Sequence, residues 1–332
     1  MNILVKKSGP MTTLQDLGRL GFQKYGVLVN GAMDSFSSRI ANILVGNAPT
    51  EASLEMTMLG ATLELPAGTL FALTGADLAA TINGQPVPQF RPVYVKTDCT
   101  LRCGFSKRGC RGYLAIAGGF DVPLVMGSKS TYLRAKIGGY KGRVLQDGDV
   151  LEIGTASAVA QTFIHNITAK ADRPAPFVTV PWFAPCSFIF GDDEIRVTQG
   201  QQFNWFTDAS VQDFFQEPYT ITLQSDRMGY RLEGKVLAYR EKRDLVSEPV
   251  TFGSIQIPAD GKPIILLADR QTAGGYPKIA SVIYADLPRL AQRQPNTQLH
   301  FKEVTLAEAE QYYFQQEDYL AQLAEIIAQR MA

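Results

Sequence analysis

Most of the chain consists of short runs of apolar and β-forming residues, each bounded by Gly, Pro, Asn or Asp. The runs that predict strands are residues 3–5, 61–65, 69–73, 113–117, 150–153, 195–197, 219–223 and 264–268. Turn signals between such runs include Asn83-Gly84, Asp147-Gly148 and Asp260-Gly261. Brief strands at this spacing are typical of barrels or sandwiches and not of an alternating βαβ sheet. We therefore predict a mainly β protein.

Two segments have helical character. Residues 35–45 are followed by Gly46, and Asp34 or Ser35 could cap the start of this helix. A second helix begins at Thr305, with Glu308 three residues later to complete a capping box. Its apolar side chains recur at roughly helical spacing. We predict few helices in all, with an amphipathic helix over residues 305–332.

Motifs recur in the same order with an offset of about 192 to 195 residues. Ile3-x-Val5 followed by Gly9 corresponds to Ile195-x-Val197 followed by Gly200. Each match alone is at the level of chance, but their shared order favours a duplicated β unit. We predict a first unit at residues 1–180, with insertions, and a second at residues 181–304. A proline-containing segment at about 155–187 would link them.

Charge and composition narrow the functional classes. Lys plus Arg and Asp plus Glu number 32 each, so no net field attracts nucleic acid or an anionic membrane. No run of about 18 apolar residues predicts a membrane span. The two histidines, His165 and His300, and four cysteines without a Cys-x-x-Cys spacing argue against a zinc site or a histidine triad. With an N-terminus unlike a signal peptide, we expect a cytoplasmic protein with reduced thiols.

Polar side chains are dense near the N-terminus, where Thr12, Gln15, Asp16 and Arg19 fall within eight residues. One interpretation is a capped turn, in which Thr and Asp bond the local backbone. The other is a loop that lines a site, with Arg19 offering a planar fork to a carboxylate or phosphate.

Two further segments of the first half combine glycine with polar groups. Met33 and Asp34 follow an Asn-Gly turn, and Asp34 could either cap the helix or flank an anion at its start. Ser128 and Thr131 belong to Gly127-Ser128-Lys129-Ser130-Thr131, which resembles a phosphate-binding loop in composition. It lacks the spacing of a P-loop, which we exclude.

The second half contains a pair of charged motifs. Asp226 and Arg227 precede Met-Gly, while Asp269 and Arg270 directly follow an apolar strand. An internal Asp–Arg ion pair would explain them, but a charged strand end beside a Gly-Gly turn favours a pocket at a barrel rim. We predict catalytic roles for Arg270, Asp269, Arg227 and Asp226. The predicted substrate-binding residues are Thr12, Gln15, Asp16, Arg19, Met33, Asp34, Ser128, Thr131, Gln271, Thr272, Gly274, Gly275 and Tyr276.

Taken in order, these motifs resemble those of the biotin-dependent carboxyltransferase family, also described as allophanate hydrolase subunit 2. The resemblance covers about residues 3–304, nearly the whole chain, and departs from the family pattern only in small points such as Leu14 and Ala273. The matching motifs are Thr12-Thr13-Leu14-Gln15-Asp16-Leu17-Gly18-Arg19, Gly31-Ala32-Met33-Asp34, Leu73-Thr74-Gly75-Ala76-Asp77, Gly118-Gly119, Gly127-Ser128-Lys129-Ser130-Thr131, Ser225-Asp226-Arg227-Met228-Gly229 and Asp269-Arg270-Gln271-Thr272-Ala273-Gly274-Gly275-Tyr276-Pro277.

The resemblance implies two tandem cyclophilin-like β-barrel units and three alternative functions. The favoured one is a component of a 5-oxoprolinase, which opens 5-oxoproline to L-glutamate with ATP hydrolysis and acts together with subunits A and B of that enzyme. The second is the carboxyltransferase component of a biotin-dependent urea carboxylase. The third is a regulatory module that antagonises a histidine-kinase inhibitor, which is the B component of the 5-oxoprolinase itself.

The absence of a Met-Lys-Met biotinylation site and of a fused biotin carboxylase favours the first function. We expect ATP as co-substrate, bound at or near the interface with the B component, and no biotin attached to this chain. No metal site is evident in the sequence, although Mg²⁺ could enter with ATP.

Overall fold

The computed structural model describes residues 1–169, 175–241 and 243–331, which form two compact units. Unit 1 comprises Met1–Arg19, Asp34–Ser187 and Asp318–Ala332, and unit 2 comprises Leu20–Met33 and Phe188–Glu317. Residues 170–174, which belong to the predicted linking segment, lie outside the described residues. The domain boundaries proposed from the sequence stay a prediction.

The described part of unit 1 contains strands β1 to β12 and helices α1 and α2. The strands are β1 (Asn2–Lys7), β2 (Thr12–Gln15), β3 (Ser53–Thr57), β4 (Thr62–Leu65), β5 (Leu70–Asp77), β6 (Thr81–Ile82), β7 (Gln85–Pro86), β8 (Pro92–Val95), β9 (Cys99–Arg102), β10 (Arg108–Ile116), β11 (Val150–Glu152) and β12 (Phe177–Thr179). The helices are α1 (Ser35–Leu44) and α2 (Ala158–Ala169).

These strands form two six-stranded sheets, in the orders β11-β1-β4-β9-β6-β7 and β12-β8-β5-β10-β3-β2. One hydrophobic core draws on both, with Ile3 and Leu63 from the first sheet and Leu73 and Leu114 from the second, all buried. Alternate residues of β1 are buried, and polar and apolar residues alternate in β4, so one face of the first sheet lies on this core. Unit 1 is therefore a two-layered β unit.

Unit 2 contains strands β13 to β21, helices α3 and α4, and the first part of helix α5. The strands are β13 (Glu194–Gln199), β14 (Tyr219–Ile221), β15 (Gly229–Glu233), β16 (Glu248–Pro249), β17 (Ser254–Gln256), β18 (Ile264–Leu266), β19 (Ala273–Gly274), β20 (Lys278–Val282) and β21 (Gln298–Glu303). The helices are α3 (Asp208–Gln216), α4 (Leu287–Ala291) and α5 (Leu306–Met331).

Seven of these strands close into a barrel in the order β13-β20-β17-β18-β15-β14-β21, and β16 pairs with β19 as a separate ribbon. The barrel interior is filled by buried apolar side chains that include Ile195, Ile255 and Ile265. Phe214 of α3 stacks on Phe301 of β21 with ring centroids 4.5 Å apart, so the helix covers the barrel. The prediction of a mainly β fold with a C-terminal helix is confirmed.

The predicted strands and both predicted helices are present, but three helices were not anticipated. Helix α2 lies within the segment predicted to be a linker, and α3 and α4 lie between strands of unit 2. Helix α3 has a signal that the sequence analysis did not use, because Thr207 caps it by accepting a hydrogen bond from the Ser210 amide at 3.2 Å.

The segments that repeat in sequence form strands in both units. Ile3-x-Val5 lies in β1 and Ile195-x-Val197 in β13, while the later apolar runs form β5 and β18. Their hydrogen-bonding partners differ, because β1 pairs with β4 and β11 whereas β13 pairs with β20 and β21. The duplicated β unit stays a prediction.

Helix α5 begins with the predicted capping box. The Glu308 carboxylate accepts hydrogen bonds from the Thr305 amide at 2.7 Å and the Thr305 hydroxyl at 2.8 Å, and Thr305 Oγ1 accepts from the Glu308 amide. In the part of the helix that belongs to unit 1, Tyr319 donates to the Pro185 carbonyl at 2.6 Å. Its buried apolar side chains there are Leu320, Leu323, Ile327 and Met331.

The four cysteines are free thiols. Cys99, Cys103 and Cys110 are buried, and Cys186 is half-buried. Burial raises the pKa of Cys103 to about 12 and, with the nearby Asp98 charge, raises the pKa of Cys99 to about 11. In the described residues, no helix is both long and apolar enough to cross a membrane.

Candidate functional site

The polar segment near the N-terminus forms an internal hydrogen-bonded network in unit 1, with Asp16 at its centre. The Asp16 carboxylate accepts hydrogen bonds from the Ser128 hydroxyl at 2.7 Å, the Lys129 amide at 2.6 Å and the Ser130 hydroxyl at 2.5 Å. It also accepts from the Gly18 amide at 2.8 Å. The carboxylate thus joins the loop after β2 to the 127–131 loop, and its bond to the Gly18 amide is the local contact that the capped-turn interpretation describes.

Arg19 belongs to the same network and is fully buried. Its guanidinium donates to the backbone carbonyls of Val125 and Ser130. Gly138 lies against Arg19 so closely that a Cβ at that position would overlap the guanidinium. These carbonyl oxygens therefore occupy N–H groups of the Arg19 guanidinium that a carboxylate or phosphate would need.

Gln15, Thr131 and Thr12 complete this network. The Gln15 amide nitrogen donates to the Thr13 hydroxyl at 3.0 Å and to the Thr131 carbonyl at 3.3 Å, while its buried Oε1 has no partner among the described residues. The Thr131 hydroxyl donates to the Leu14 carbonyl at 3.0 Å. Thr12 donates to the Ser8 carbonyl. All three side chains are buried, so they stabilise the loops of unit 1.

Asp34 caps α1, as predicted, by accepting a hydrogen bond from the Ser37 amide at 2.8 Å. Its own amide donates to the Tyr113 hydroxyl, which in turn donates to the buried Glu55 carboxylate at 2.7 Å. Burial raises the pKa of Tyr113 well above its usual range, so the phenol stays protonated and serves as a donor. Met33 is a buried part of the core of unit 2.

The charged strand ends of unit 2 form an ion pair. Arg227 binds Asp269 through two hydrogen bonds of 3.0 Å each. Arg227 also donates to the Gly31 carbonyl at 2.6 Å, and the Asn30 amide donates to Asp269 at 2.8 Å. Both members of the pair are nearly buried, at 7% and 13% side-chain exposure. Their polar atoms thus bond protein groups, which is the internal ion pair considered from the sequence.

Arg270 differs from its neighbours because no carboxylate lies within ion-pair distance of it in the described residues. Its guanidinium makes long hydrogen bonds to the carbonyls of Val250 and Leu267 and lies 5.8 Å from the centre of the Phe252 ring. Partial burial lowers the pKa of Arg270 to about 10. A half-buried cation without a counter-ion is suited to binding an anion.

A cavity of about 320 Å³ opens in unit 2 and contains three of the predicted site residues, Asp226, Gln271 and Tyr276. Its volume is in the range of small-molecule pockets. Asp226 stands in a tight turn, where its Oδ1 accepts from the amides of Met228 at 2.8 Å and Gly229 at 3.3 Å. Met228, Ile264 and Leu266 provide apolar parts of the wall. The cavity therefore offers charged, amide, phenolic and apolar groups together.

Four polar residues of this cavity were not predicted as site residues, namely Gln224 and Asp260 and, on strands, Gln256 and Arg231. Gln256 stands between two isoleucines in a strand, where alternation alone does not distinguish a pocket-facing amide from an ordinary polar position. Arg231 belongs to the same charged segment as Asp226 and Arg227, but the sequence pattern assigned no role to it. The signal that could have found both is a polar side chain on a strand next to a charged turn.

The wall that carries Tyr276 is held by a buried group of charges. Lys278, 6% exposed, forms an ion pair with Glu248, which also accepts from the Gln202 amide at 2.8 Å. The Lys278 ammonium, with Gln202, lowers the pKa of Glu248. Because Glu248 lies in β16 and β16 pairs with β19, these contacts fix the ribbon that leads into the cavity wall.

The glycines at positions 274 and 275 leave room for neighbouring groups. A Cβ on Gly274 would come within 2.6 Å of the Gln256 amide nitrogen, so the glycine makes room for that side chain. At Gly275 the nearest atom would be the Leu245 carbonyl at 3.3 Å. Thr272 is half-buried, and its carbonyl accepts from the Val250 amide at 3.2 Å.

The cavity in unit 2 is the candidate site because of its lining residues and not because of its size. A larger open cleft of about 390 Å³ in unit 1 has Glu64 and Asp98 in its lining and contains none of the predicted residues. Glu64 is bound to Lys6 at 2.7 Å and Asp98 accepts from the Ala67 amide at 2.8 Å. Within the described ranges, no three His, Cys, Asp or Glu side chains are grouped to hold a metal ion.

Comparisons with known proteins agree with the motifs. A family profile described as "Carboxyltransferase domain, subdomain A and B" matches residues 25–303. The C component of the 5-oxoprolinase of Escherichia coli is 38% identical over 318 residues, and that of Haemophilus influenzae is 37% identical over the same length. Each match covers 96% of this chain and 96% of the relative.

Among solved structures, the urea amidolyase of K. lactis superposes with a TM-score of 0.85 and 29% identity. The match covers 97% of this chain but only 20% of the amidolyase chain. This chain therefore resembles one part of the much longer amidolyase. It matches nearly the whole length of the two bacterial 5-oxoprolinase components.

Proposed function

The chain belongs to the family of carboxyltransferase domains, subdomain A and B, and from this premise we propose that it is the C component of an ATP-dependent 5-oxoprolinase. In this proposal it opens 5-oxoproline to L-glutamate in the cytoplasm, together with subunits A and B. The observation that carries the proposal is the identity of 37–38% over 96% of both chains with relatives of that name.

The chemistry requires activation of a stable amide. Transfer of the γ-phosphoryl group of ATP to the lactam oxygen leaves ADP and makes the ring carbon electrophilic. Water then adds to that carbon, the ring nitrogen leaves as a protonated amine, and a second water releases phosphate from the resulting acyl phosphate. Cationic donors that stabilise the charge on the transferring phosphoryl group accelerate such a step.

Arg270 is the predicted catalytic arginine whose surroundings best suit this role. Arg19 is fully buried against carbonyls and Arg227 is buried in an ion pair with Asp269. Arg270 is half-buried, makes only long hydrogen bonds to carbonyls and has no carboxylate partner among the described residues. We propose that Arg270 holds a substrate carboxylate or a phosphate oxygen. ATP would bind at or near the interface with the B component, with Mg²⁺ supplied along with the nucleotide.

The test of this function is glutamate formation from 5-oxoproline and ATP by a mixture of the three purified components. We expect activity only when this chain is present, and undiminished activity without it would contradict the proposal. Arg270→Ala should reduce turnover about a hundredfold or more, as loss of one charge-stabilising donor does. Arg240→Ala, at an exposed arginine paired with Asp208, is the matched control and should leave turnover unchanged.

A second candidate is biotin-dependent carboxyl transfer to an amide such as urea. The superposition on a urea amidolyase with a TM-score of 0.85 favours it. It would require a biotinylated partner, and the measurement is incorporation of labelled bicarbonate with and without avidin. Avidin-sensitive incorporation, together with absent glutamate formation, would replace the first proposal by this one.

A further inference from the structure

The cavity of unit 2 is lined by a buried glutamine whose amide oxygen has no hydrogen-bond donor. Gln256 is the last residue of β17, lies between β18 and β20, and is 1% exposed. Its Nε2 donates to the Tyr276 carbonyl at 3.2 Å, which fixes the orientation of the amide because a carbonyl can only accept. Within the described residues, nothing donates to its Oε1.

Gln256 Oε1 is not among the fully buried unpaired atoms of the described residues, so water or a ligand in the cavity can supply the donor that it lacks. Gln256 lines the cavity, so such a donor would reach it from there. The acceptor selects a group that carries a hydrogen on nitrogen or oxygen. The N–H of a cyclic amide is a donor of this kind.

Arg231 lines the same cavity and supplies positively charged hydrogen-bond donors. It is in β15, where its amide donates to the Ser225 hydroxyl at 3.0 Å, and it forms no ion pair with any described residue. A guanidinium binds a carboxylate through two parallel hydrogen bonds, and this geometry is specific to planar anions. The cavity therefore combines an acceptor for N–H with a donor for a carboxylate.

The remaining lining agrees with a small amino-acid derivative. Met228 and Leu266 offer an apolar surface for methylene groups, and the volume of about 320 Å³ is at the lower end of small-molecule pockets. Asp226 has its Oδ1 bonded to backbone amides, and its negative charge would favour an amine that becomes protonated when a ring opens. A carboxylate ligand without an N–H group could bind Arg231 but would supply no donor to the Gln256 oxygen.

We propose that this cavity, on the present chain, is the binding subsite for the 5-oxoproline ring, with Gln256 accepting from the ring N–H and Arg231 binding the carboxylate. This inference rests on the proposed function and adds where on this chain the ring and its carboxylate bind, which leaves the phosphate oxygen to Arg270. It also assigns recognition to two residues that lie outside the motifs of the family resemblance. Gly274 takes part indirectly by leaving room for the Gln256 amide.

The test is calorimetric titration of the full chain with 5-oxoproline and with 2-pyrrolidone, the same lactam without a carboxylate. Arg231→Gln should weaken 5-oxoproline binding about tenfold or more and leave 2-pyrrolidone binding unchanged, because only the first ligand has the charged group. Gln256→Leu should weaken both ligands. Arg240→Gln, at an exposed arginine paired with Asp208, should weaken neither.

Gly274→Ala provides a second perturbation in case Gln256→Leu fails to fold, because the new Cβ displaces the Gln256 amide. It should weaken both ligands, whereas Gly275→Ala, with 3.3 Å to its nearest neighbour, should weaken them much less. Absence of 5-oxoproline binding to the wild-type chain would overturn the inference, and so would equal affinity in wild type and Arg231→Gln.

Failure of the subsite and failure of the function give different results. If the three-component mixture forms glutamate with the same KM for 5-oxoproline in wild type and Arg231→Gln, the subsite is wrong and the function stands. If Arg231-dependent binding occurs but the wild-type mixture forms no glutamate, the function is wrong and the cavity remains a lactam-carboxylate site.

Discussion

Single carboxylate side chains organise the loops of each unit. Asp16 accepts hydrogen bonds from two hydroxyls and two backbone amides in unit 1, and Glu248 accepts from Lys278 and Gln202 in unit 2. Removing one partner of such a group leaves the others buried and unsatisfied. The stability of these loops therefore depends on individual carboxylates more than on the apolar residues around them.

Glu248 makes the stability of unit 2 depend on pH. Its pKa is lowered from 4.5 by Lys278, so its charged form contributes stability above pH 4.5, and this contribution is lost as the pH falls through the lowered pKa of the folded state. We predict that Glu248→Gln reduces the free energy of unfolding by about 1–3 kcal/mol at neutral pH, since Lys278 stays buried without its partner.

Urea unfolding followed at several pH values would measure this effect. The difference between wild type and Glu248→Gln should shrink below pH 4.5, because the wild-type carboxyl then becomes protonated. Glu233→Gln is the control, since Glu233 pairs with Lys262 at an exposed position and its loss should change little. A difference that is constant with pH would show that the Glu248 charge is not the cause.

The sequence could identify which residues are chemically unusual, but not which of their alternative partners they bind. The Asp-Arg pattern of both charged motifs was compatible with an internal pair or with a pocket. The structure shows that Arg227 and Asp269 bind each other, while Arg270, the next residue, has no such partner among the described residues. The distinction depends on strand-end geometry that neighbouring sequence does not encode.

At the scale of elements, helix α5 offers a direct comparison of buried and exposed positions. Leu323 is 7% exposed and Ile326, three residues later, is 48% exposed. We predict that Leu323→Ala lowers the free energy of unfolding by about 2–4 kcal/mol, because it removes buried methyl groups and leaves a cavity. Ile326→Ala should lower it by less than about 1 kcal/mol, because little apolar area is lost from the interior.

Denaturant unfolding of the two variants, with helix content checked by circular dichroism, would measure this difference. Both substitutions introduce the same residue, so helix propensity affects them in nearly the same direction. Equal destabilisation would mean that the C-terminal half of α5 does not pack as described.

The elements that sequence predicted best were those with both a pattern and a local stop signal. Helices α1 and α5 have side-chain caps at Asp34 and Thr305, and polar and apolar residues alternate in β4. Helix α2 was missed because a run of small and β-branched residues next to prolines was interpreted as a linker. Its first turn has no acidic residue, and its cap is Ser157, whose hydroxyl accepts a hydrogen bond from the Ala160 amide at 3.2 Å.

At the scale of the whole molecule, each unit has its own hydrophobic core and one of the two tryptophans. Trp182 lies in unit 1 and Trp205 in unit 2. We predict that Leu63→Ala, at a fully buried position of unit 1, destabilises the transition reported by Trp182 by about 2–5 kcal/mol. Ile265→Ala should do the same for the transition reported by Trp205.

Variants that keep a single tryptophan, made with Trp182→Phe or Trp205→Phe, would separate the two fluorescence signals during urea unfolding. Each core substitution should shift mainly the signal of its own unit. Equal shifts of both signals by either substitution would mean that the chain unfolds as one cooperative body.

The candidate cavity could be predicted only in part because its walls come from distant segments. Asp226, Gln271 and Tyr276 belong to motifs that stand out in the sequence, whereas Gln256 lies in an ordinary strand between them. Only the closing of β15, β17 and β18 into one barrel brings these residues together. The same closure explains why no single motif identifies the subsite.

The burial of three of the four thiols has a practical consequence for handling the protein. Maleimide dyes react with thiolate, and the buried Cys99 and Cys103, with pKa values of about 11 and 12, hold very little thiolate at neutral pH. Burial also raises the pKa of Cys186, but this thiol is only half-buried and is therefore the most accessible of the four to a dye. A single fluorophore could thus be attached at that position without mutagenesis and used to follow binding of the proposed partner proteins.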